Sequence, residues 1–380
     1  MVNDIRIIMA IVMYLVGCFS LMVYNAIVIL RKYSSSKAML NDTNKWISDI
    51  HWELTYENDL TNLSKKHEKR LLKKLKRVER LIAFSNALSH FRNEDWIDLH
   101  DEYIDLLMKS KIFHTLTIVY SEKKNEERAY FAYFISQYPQ LAKNTEGVCT
   151  EIVNMMVAYI DNSDIYCRAN VLKALCRIGY IPGIVNILQF FSANNHFMHH
   201  RLLAEDLFNF AGDKEVLALY LWGKYKTWND NIMLGVVTFI TMFSDGFKDA
   251  FLPVLKNKST GADIRLAITR YYKEYSFEPA QPVLVDLLSQ TENYEFATEA
   301  ASALCEYPGY STTIALVDAL KSDNWHTQYS AAHSLVTLNK QSDGLISDLI
   351  SEDSNAQQIL KYMLEHASNE QALNVSEIII

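Results

Sequence analysis

Glycine and proline are scarce in this 380-residue chain, at 11 and 6 residues. So few turn formers argue against a β-sandwich or barrel, and abundant Leu, Ile, Ala, Lys and Glu favour helices with short connections. Paired metal-binding cysteines are missing too. The five cysteines, Cys18, Cys149, Cys167, Cys176 and Cys305, have no CxxC spacing and are odd in number, which points away from a zinc knuckle or a disulfide framework and towards reduced thiols. There is no glycine-rich phosphate loop, and no Ser, Cys or Lys sits in a nucleophile motif, so the sequence offers no catalytic constellation and no cofactor site. The expected class is all-α.

Charge is unevenly distributed. The formal net charge is -8, yet nine Lys/Arg lie between Lys65 and Arg80 (Lys65, Lys66, Lys69, Arg70, Lys73, Lys74, Lys76, Arg77 and Arg80) against only Glu68 and Glu79. Helical spacing of Leu71, Leu75, Val78 and Ile82 predicts one amphipathic helix over 62–89. Two readings of it stand side by side: a surface helix attracted to anionic headgroups, or a solvated helix whose stripe packs on the first repeat. The acidic remainder repels polyanions, and nucleic acid is not an expected partner.

From Ile7 to Leu30 no charge occurs over 24 residues. At ~1.5 Å per residue such a helix reaches roughly 36 Å, enough to cross a hydrocarbon core. A single transmembrane helix is the expectation, with Arg31, Lys32, Lys37 and Lys45 after it placing the C-terminal domain in the cytoplasm, as in a bacterial inner or plasma membrane. Leu15-Val16-Gly17-Cys18 also looks like a lipoprotein box, but the run stays apolar as far as Leu30.

Self-similarity begins near residue 146. Tyr166–Leu175 aligns with Met198–Leu207, Asn231–Ile240, Ala262–Tyr271, Glu295–Leu304 and His326–Leu335, so the closing positions recur at spacings of 32, 33, 31, 33 and 31. Apolar or small pairs precede them, from Val171/Leu172 to Ala300/Ala301 and Ala331/Ala332, and such residues let neighbouring helices approach closely. After each segment comes a break and a second apolar run, as where Pro182-Gly183 leads into Ile184, Ile187 and Leu188. Each unit reads as a helical hairpin that buries its apolar face only by stacking.

This pattern resembles HEAT repeats, whose units pair two helices and often place an Asp and an Arg near the start of the first; Asp164/Arg168 and Asp263/Arg265 fit loosely. The resemblance implies an α-solenoid and a non-enzymatic scaffold recruiting a protein partner. Bacterial HEAT-repeat proteins with an N-terminal span are found beside membrane glycosyltransferases, which makes such an enzyme the suggested partner class. The expected organisation is a transmembrane helix (1–30), a basic juxtamembrane linker (31–95), degenerate helical repeats (96–145), a HEAT-like solenoid (146–366) and a tail (367–380) whose Ser376–Ile380 end could dock.

The enzymatic alternative is a metal or ligand site in the solenoid groove. Its candidates are His196, His199 and His200, whose i, i+3, i+4 spacing would put three imidazoles on one helix face. No fourth ligand is visible. His67-Glu68 is the one His-Glu dipeptide, too few for a di-iron site like that of the HEAT-repeat deoxyhypusine hydroxylases. Tyr130, Phe131, Tyr133, Phe134, Trp222, Tyr225 and Trp228 are candidates for the core, and some for a groove lining.

Overall fold

Local caps mark where the helices start and stop. Asp164 accepts from the Cys167 N–H at 2.8 Å, Asp213 from those of Glu215 and Val216, Asn229 from that of Ile232 at 3.0 Å, and Ser64 from that of His67. Each satisfies a donor that a helix N-terminus leaves open. Gly179 ends its helix at φ +86°, a left-handed turn that costs a glycine little. The computed structural model describes residues 36–339 except 57–60, 93–95, 145–146, 162 and 290–292, together with 13, 20–22, 24, 358, 359 and 362. Among these the chain is all-helical apart from a two-residue antiparallel ladder, Lys143–Asn144 with Gly147–Val148.

The chain divides into two compact units, residues 1–187 with 209–211, and 188–208 with 212–380. In unit 1, α1 covers 36–56, followed by α2 (Lys65–Lys74), α3 (Val78–His90), α4 (Ile97–Lys109), α5 (Ile112–Ser121), α6 (Asn125–Gln137), α7 (Thr150–Ala158) and α8 (Ile165–Ile178). Helices two apart in sequence pack on each other: α5 on α7, and α6 on α8. The α6/α8 seam carries polar stitches as well, from Asn170 Nδ2 to the Ala129 carbonyl at 3.1 Å and from Arg177 to the Ser136 carbonyl at 2.9 Å.

The basic segment is not one helix. It breaks after Lys74 and restarts at Val78, with Arg77 in an extended conformation. In an unbroken helix the Leu75 carbonyl would accept from the residue-79 N–H; here the buried Tyr120 hydroxyl donates to it at 2.9 Å. Nor is the segment a linker. Leu71, Leu75, Leu81 and Phe84 are fully buried, and Trp46 of α1 meets Phe84 edge-on at 5.2 Å.

The single-pass membrane placement expected from the sequence is corrected. Among the described residues no helix is long and apolar enough to cross a membrane. The longest described helix, α1, carries Lys37, Asp42, Lys45, Asp49 and Glu53 and buries only one face. Residues 7–30, apart from 13, 20–22 and 24, lie outside the described residues, as do Cys18 and the 367–380 tail.

Unit 2 shows the repeat most clearly. First helices α10 (His200–Phe208), α12 (Asp230–Thr241), α14 (Ala262–Glu274), α16 (Tyr294–Ala303) and α18 (Trp325–Asn339) pack in sequence, each on the next. Second helices α11 (Lys214–Trp222), α13 (Lys248–Lys256), α15 (Gln281–Leu288) and α17 (Tyr310–Ala319) alternate with them, and α15 packs on α17. The helix α9 (Ile181–Ala193) contains the boundary between the units. The closing positions Leu175, Leu207, Ile240, Tyr271, Leu304 and Leu335 are all buried, as the 31–33-residue spacing predicts.

Small residues set how closely the first helices approach. A Cβ at Gly235 of α12 would collide with the Leu203 side chain of α10. Between α16 and α18 the Ser334 hydroxyl reaches the Ala301 carbonyl at 2.7 Å, and Ala300, Ala301, Ala331 and Ala332 are all buried. Tyrosines tie successive hairpins: the Tyr271 hydroxyl accepts from the Phe247 N–H at 3.2 Å, and the Tyr307 hydroxyl from the Phe277 N–H at 3.1 Å while donating to the Tyr272 carbonyl at 2.7 Å.

Candidate functional site

An open cavity of about 990 Å³ is lined by α15 and α17 and by residues at the starts of α16 and α18. Helical spacing explains its lining. Pro282, Val285, Asp286 and Ser289 share one face at the α15 end, and Ser311, Ile314, Ala315 and Asp318 share the facing side of α17. α15 packs on α17, and with Leu284, Leu287, Leu316 and Leu320 turned into the core the outward faces leave a trough with an apolar floor. Tyr310, 67% exposed, and Tyr294, 41% exposed, stand at its edges.

Acidic groups rim the groove: Asp286, Asp318 and Asp323, against one cation, Lys321. The Lys321 ammonium is 3.4 Å from Asp318, but both side chains are well exposed, so that pair holds little energy. From Ala262 to Asn339 the chain has ten Asp/Glu and four Lys/Arg, so the setting is negative as well. Asp286 and Asp318 are 32 residues apart and occupy corresponding places in α15 and α17. Tyr294 and Trp325 likewise open α16 and α18 at a spacing of 31. Repeat-equivalent polar and aromatic positions were the signal available for these residues in the sequence, which the alignment of apolar positions alone passes over.

The histidines singled out for metal do not share a helix face. His200 begins α10, and His196 lies in the preceding loop, its ring against Phe190 at 5.3 Å. His199 and His200 stack on each other at 4.7 Å, and desolvation lowers the proton affinity of His200, with the neighbouring His199 and Arg201 lowering it further. Among the described residues no group of three or more His, Cys, Asp or Glu is arranged to hold a metal ion. Nor are the buried thiols activated: desolvation pushes Cys167 and Cys305 up to about 11.

The basic cluster divides by role. Arg70 pairs with Asp49 at 2.7 Å, Arg80 pairs with Asp42, and the Lys74 ammonium sits 4.9 Å above the Trp46 ring, so these three hold α1 against α2 and α3. Lys65, Lys66, Lys69, Lys73, Lys76 and Arg77 are exposed on the outer side. Beneath them lies a buried polar group: the Glu53 carboxylate accepts from the Ser64 N–H at 2.5 Å and from its hydroxyl at 2.9 Å, and His67 Nε2 bonds the Tyr103 hydroxyl at 2.7 Å. Desolvation lowers His67 to about 4 and keeps it neutral.

The aromatics noted in the sequence are mostly structural. Phe131 and Phe134 are fully buried; the Trp228 indole donates to the Leu221 carbonyl at 3.0 Å; Trp222 stacks on Tyr225 at 4.7 Å. Tyr133 is partly exposed, and none of the seven lines the α15/α17 groove. Asp164 and Arg265, which carried part of the HEAT resemblance, have local duties: Asp164 caps α8, and buried Arg265 donates to the Leu255 carbonyl at 3.0 Å beneath the Phe296 ring. Compared with known protein families and curated proteins, the chain matches no family model and no curated sequence.

Proposed function

We propose that the chain is a non-enzymatic helical-repeat scaffold of the HEAT type, in which stacked hairpins form an α-solenoid surface that holds a protein partner. The observation that carries this reading is the α15/α17 trough, an open cavity of about 990 Å³ with an apolar floor and exposed tyrosines, built from repeat-equivalent faces rather than from converging reactive groups. Surfaces of this kind dock peptide segments through apolar anchors and polar rims. The partner is defined by that chemistry rather than by the glycosyltransferase resemblance.

The reading is tested by isolating the tagged full-length protein from its host, with wild type compared to Ile314→Glu by quantitative mass spectrometry. Ile314 is only half-buried in the groove floor, so the fold is expected to persist, as circular dichroism would verify. A protein that co-isolates with wild type and is lost with Ile314→Glu supports the scaffold. Identical recovery with both, or none with either, contradicts it.

A further inference from the structure

Resting on that scaffold reading, we infer that the α15/α17 groove takes a basic segment of a partner protein, in which an aliphatic or aromatic side chain is flanked by Lys or Arg. Two independent features lead there. The floor, which includes Val285, Ile314 and Ala315 with Tyr294 and Tyr310 also lining the groove, is apolar and suits an apolar anchor. The rim places Asp286 and Asp318 at corresponding positions one repeat apart, with Asp323 beyond, so carboxylates flank the slot.

Charge complementarity then selects the flanking residues. An acidic segment would face three carboxylates and a negative surround of ten Asp/Glu against four Lys/Arg. A basic segment gains steering and register from the same field. Tyr294 and Tyr310 add ring faces on which an ammonium or a guanidinium can rest. Among the groove's described lining residues the one cation, Lys321, already lies beside Asp318, and Arg265 acts on Asp286 from outside the groove, whereas Asp323 has no described ion-pair partner.

The test is fluorescence anisotropy on the full chain with two labelled peptides of about 12 residues: one with Leu and Trp interspersed with Lys and Arg, and its twin with Glu at every basic position. The basic peptide is expected to bind, more weakly as salt rises, and the twin to fail. Asp318→Lys with Asp323→Lys should weaken binding roughly tenfold, whereas Glu122→Lys, an exposed change in unit 1, leaves it unaltered. Equal or better binding of the twin, equal loss with Glu122→Lys, or binding of neither peptide overturns the inference. Binding of the twin that Ile314→Glu abolishes would overturn the basic class while leaving the scaffold; failure of the scaffold is read separately, from the partner isolation.

Discussion

In unit 2 one contact recurs. Each first helix packs on the next, with Leu203 against Gly235 where α10 meets α12 and the Ser334 hydroxyl on the Ala301 carbonyl where α16 meets α18. The α1–α3 region of unit 1 has no such rule. Its helices are held by single contacts between unlike partners: Arg70 with Asp49, Ser64 with Glu53, His67 with Tyr103, and Tyr120 with the carbonyl of Leu75. A repeated apolar seam tolerates change at the surface but not at the helix crossing, whereas a polar, one-off assembly is sensitive to the protonation and geometry of particular groups.

Breaking the seam should have the largest effect. Gly235→Val drives a branched side chain into Leu203 and is expected to lower stability by about 3 kcal/mol, while Gly246→Ala, whose new methyl meets only the Ser244 hydroxyl at 3.4 Å, stays within about 0.5 kcal/mol. Hydrogen exchange of the α12 amides would show both. Similar protection in the two variants would mean that the close approach of α10 and α12 does not limit stability.

The polar region of unit 1 should respond next, through pH. His67 titrates near its usual 6.5 when unfolded but at about 4 when folded, so the unfolded chain binds the proton more readily. Stability is therefore full above 6.5 and falls as pH drops from 6.5 towards 4, by about 2 kcal/mol between pH 7 and pH 5 from this group. Denaturation at the two pH values, with wild type set against His67→Gln, isolates the term. An identical pH slope in the two proteins would refute the burial of neutral His67.

Smaller still is the effect of the helix break. Tyr120→Phe removes the donor to the Leu75 carbonyl and leaves that buried acceptor unpaired, a cost of about 1–2 kcal/mol, read as faster exchange at the α2/α3 junction. The least is expected from Arg70→Ala: the partly exposed ion pair with Asp49 is worth under about 1 kcal/mol, and its loss should fade into wild-type behaviour at high salt.

The same contrast explains what could be read from the sequence. Leu207, Ile240, Tyr271, Leu304 and Leu335 are legible because repetition makes long-range packing look local: within unit 2 each first helix packs on the one a period away. The break between α2 and α3 is not, since its cause, Tyr120, lies 45 residues further on and belongs to no period. Leu71, Leu75, Val78 and Ile82 do continue at helical spacing, and spacing alone cannot register a carbonyl taken by another helix. The 7–30 run shows the reverse case: its lack of charge, its length and the Lys/Arg after it led to a membrane placement that no described helix supports.

His196, His199 and His200 teach a related lesson. Their i, i+3, i+4 spacing brings imidazoles together only if all three are helical, and the chain before His200 is a loop. The groove lay outside the apolar alignment. Its floor, Val285, Ile314 and Ala315, turns away from the core, and its rim, Asp286 and Asp318, emerges only when polar positions are placed in the same 32-residue register.

The most direct test of the central claim is site-specific photocrosslinking in the native host, with benzoylphenylalanine placed at position 310 of the groove or at position 166, equally exposed on unit 1. The account predicts a discrete protein adduct from position 310 that disappears with Ile314→Glu, and none from position 166. Equal adducts from both positions, or an adduct at 310 indifferent to Ile314→Glu, would contradict it.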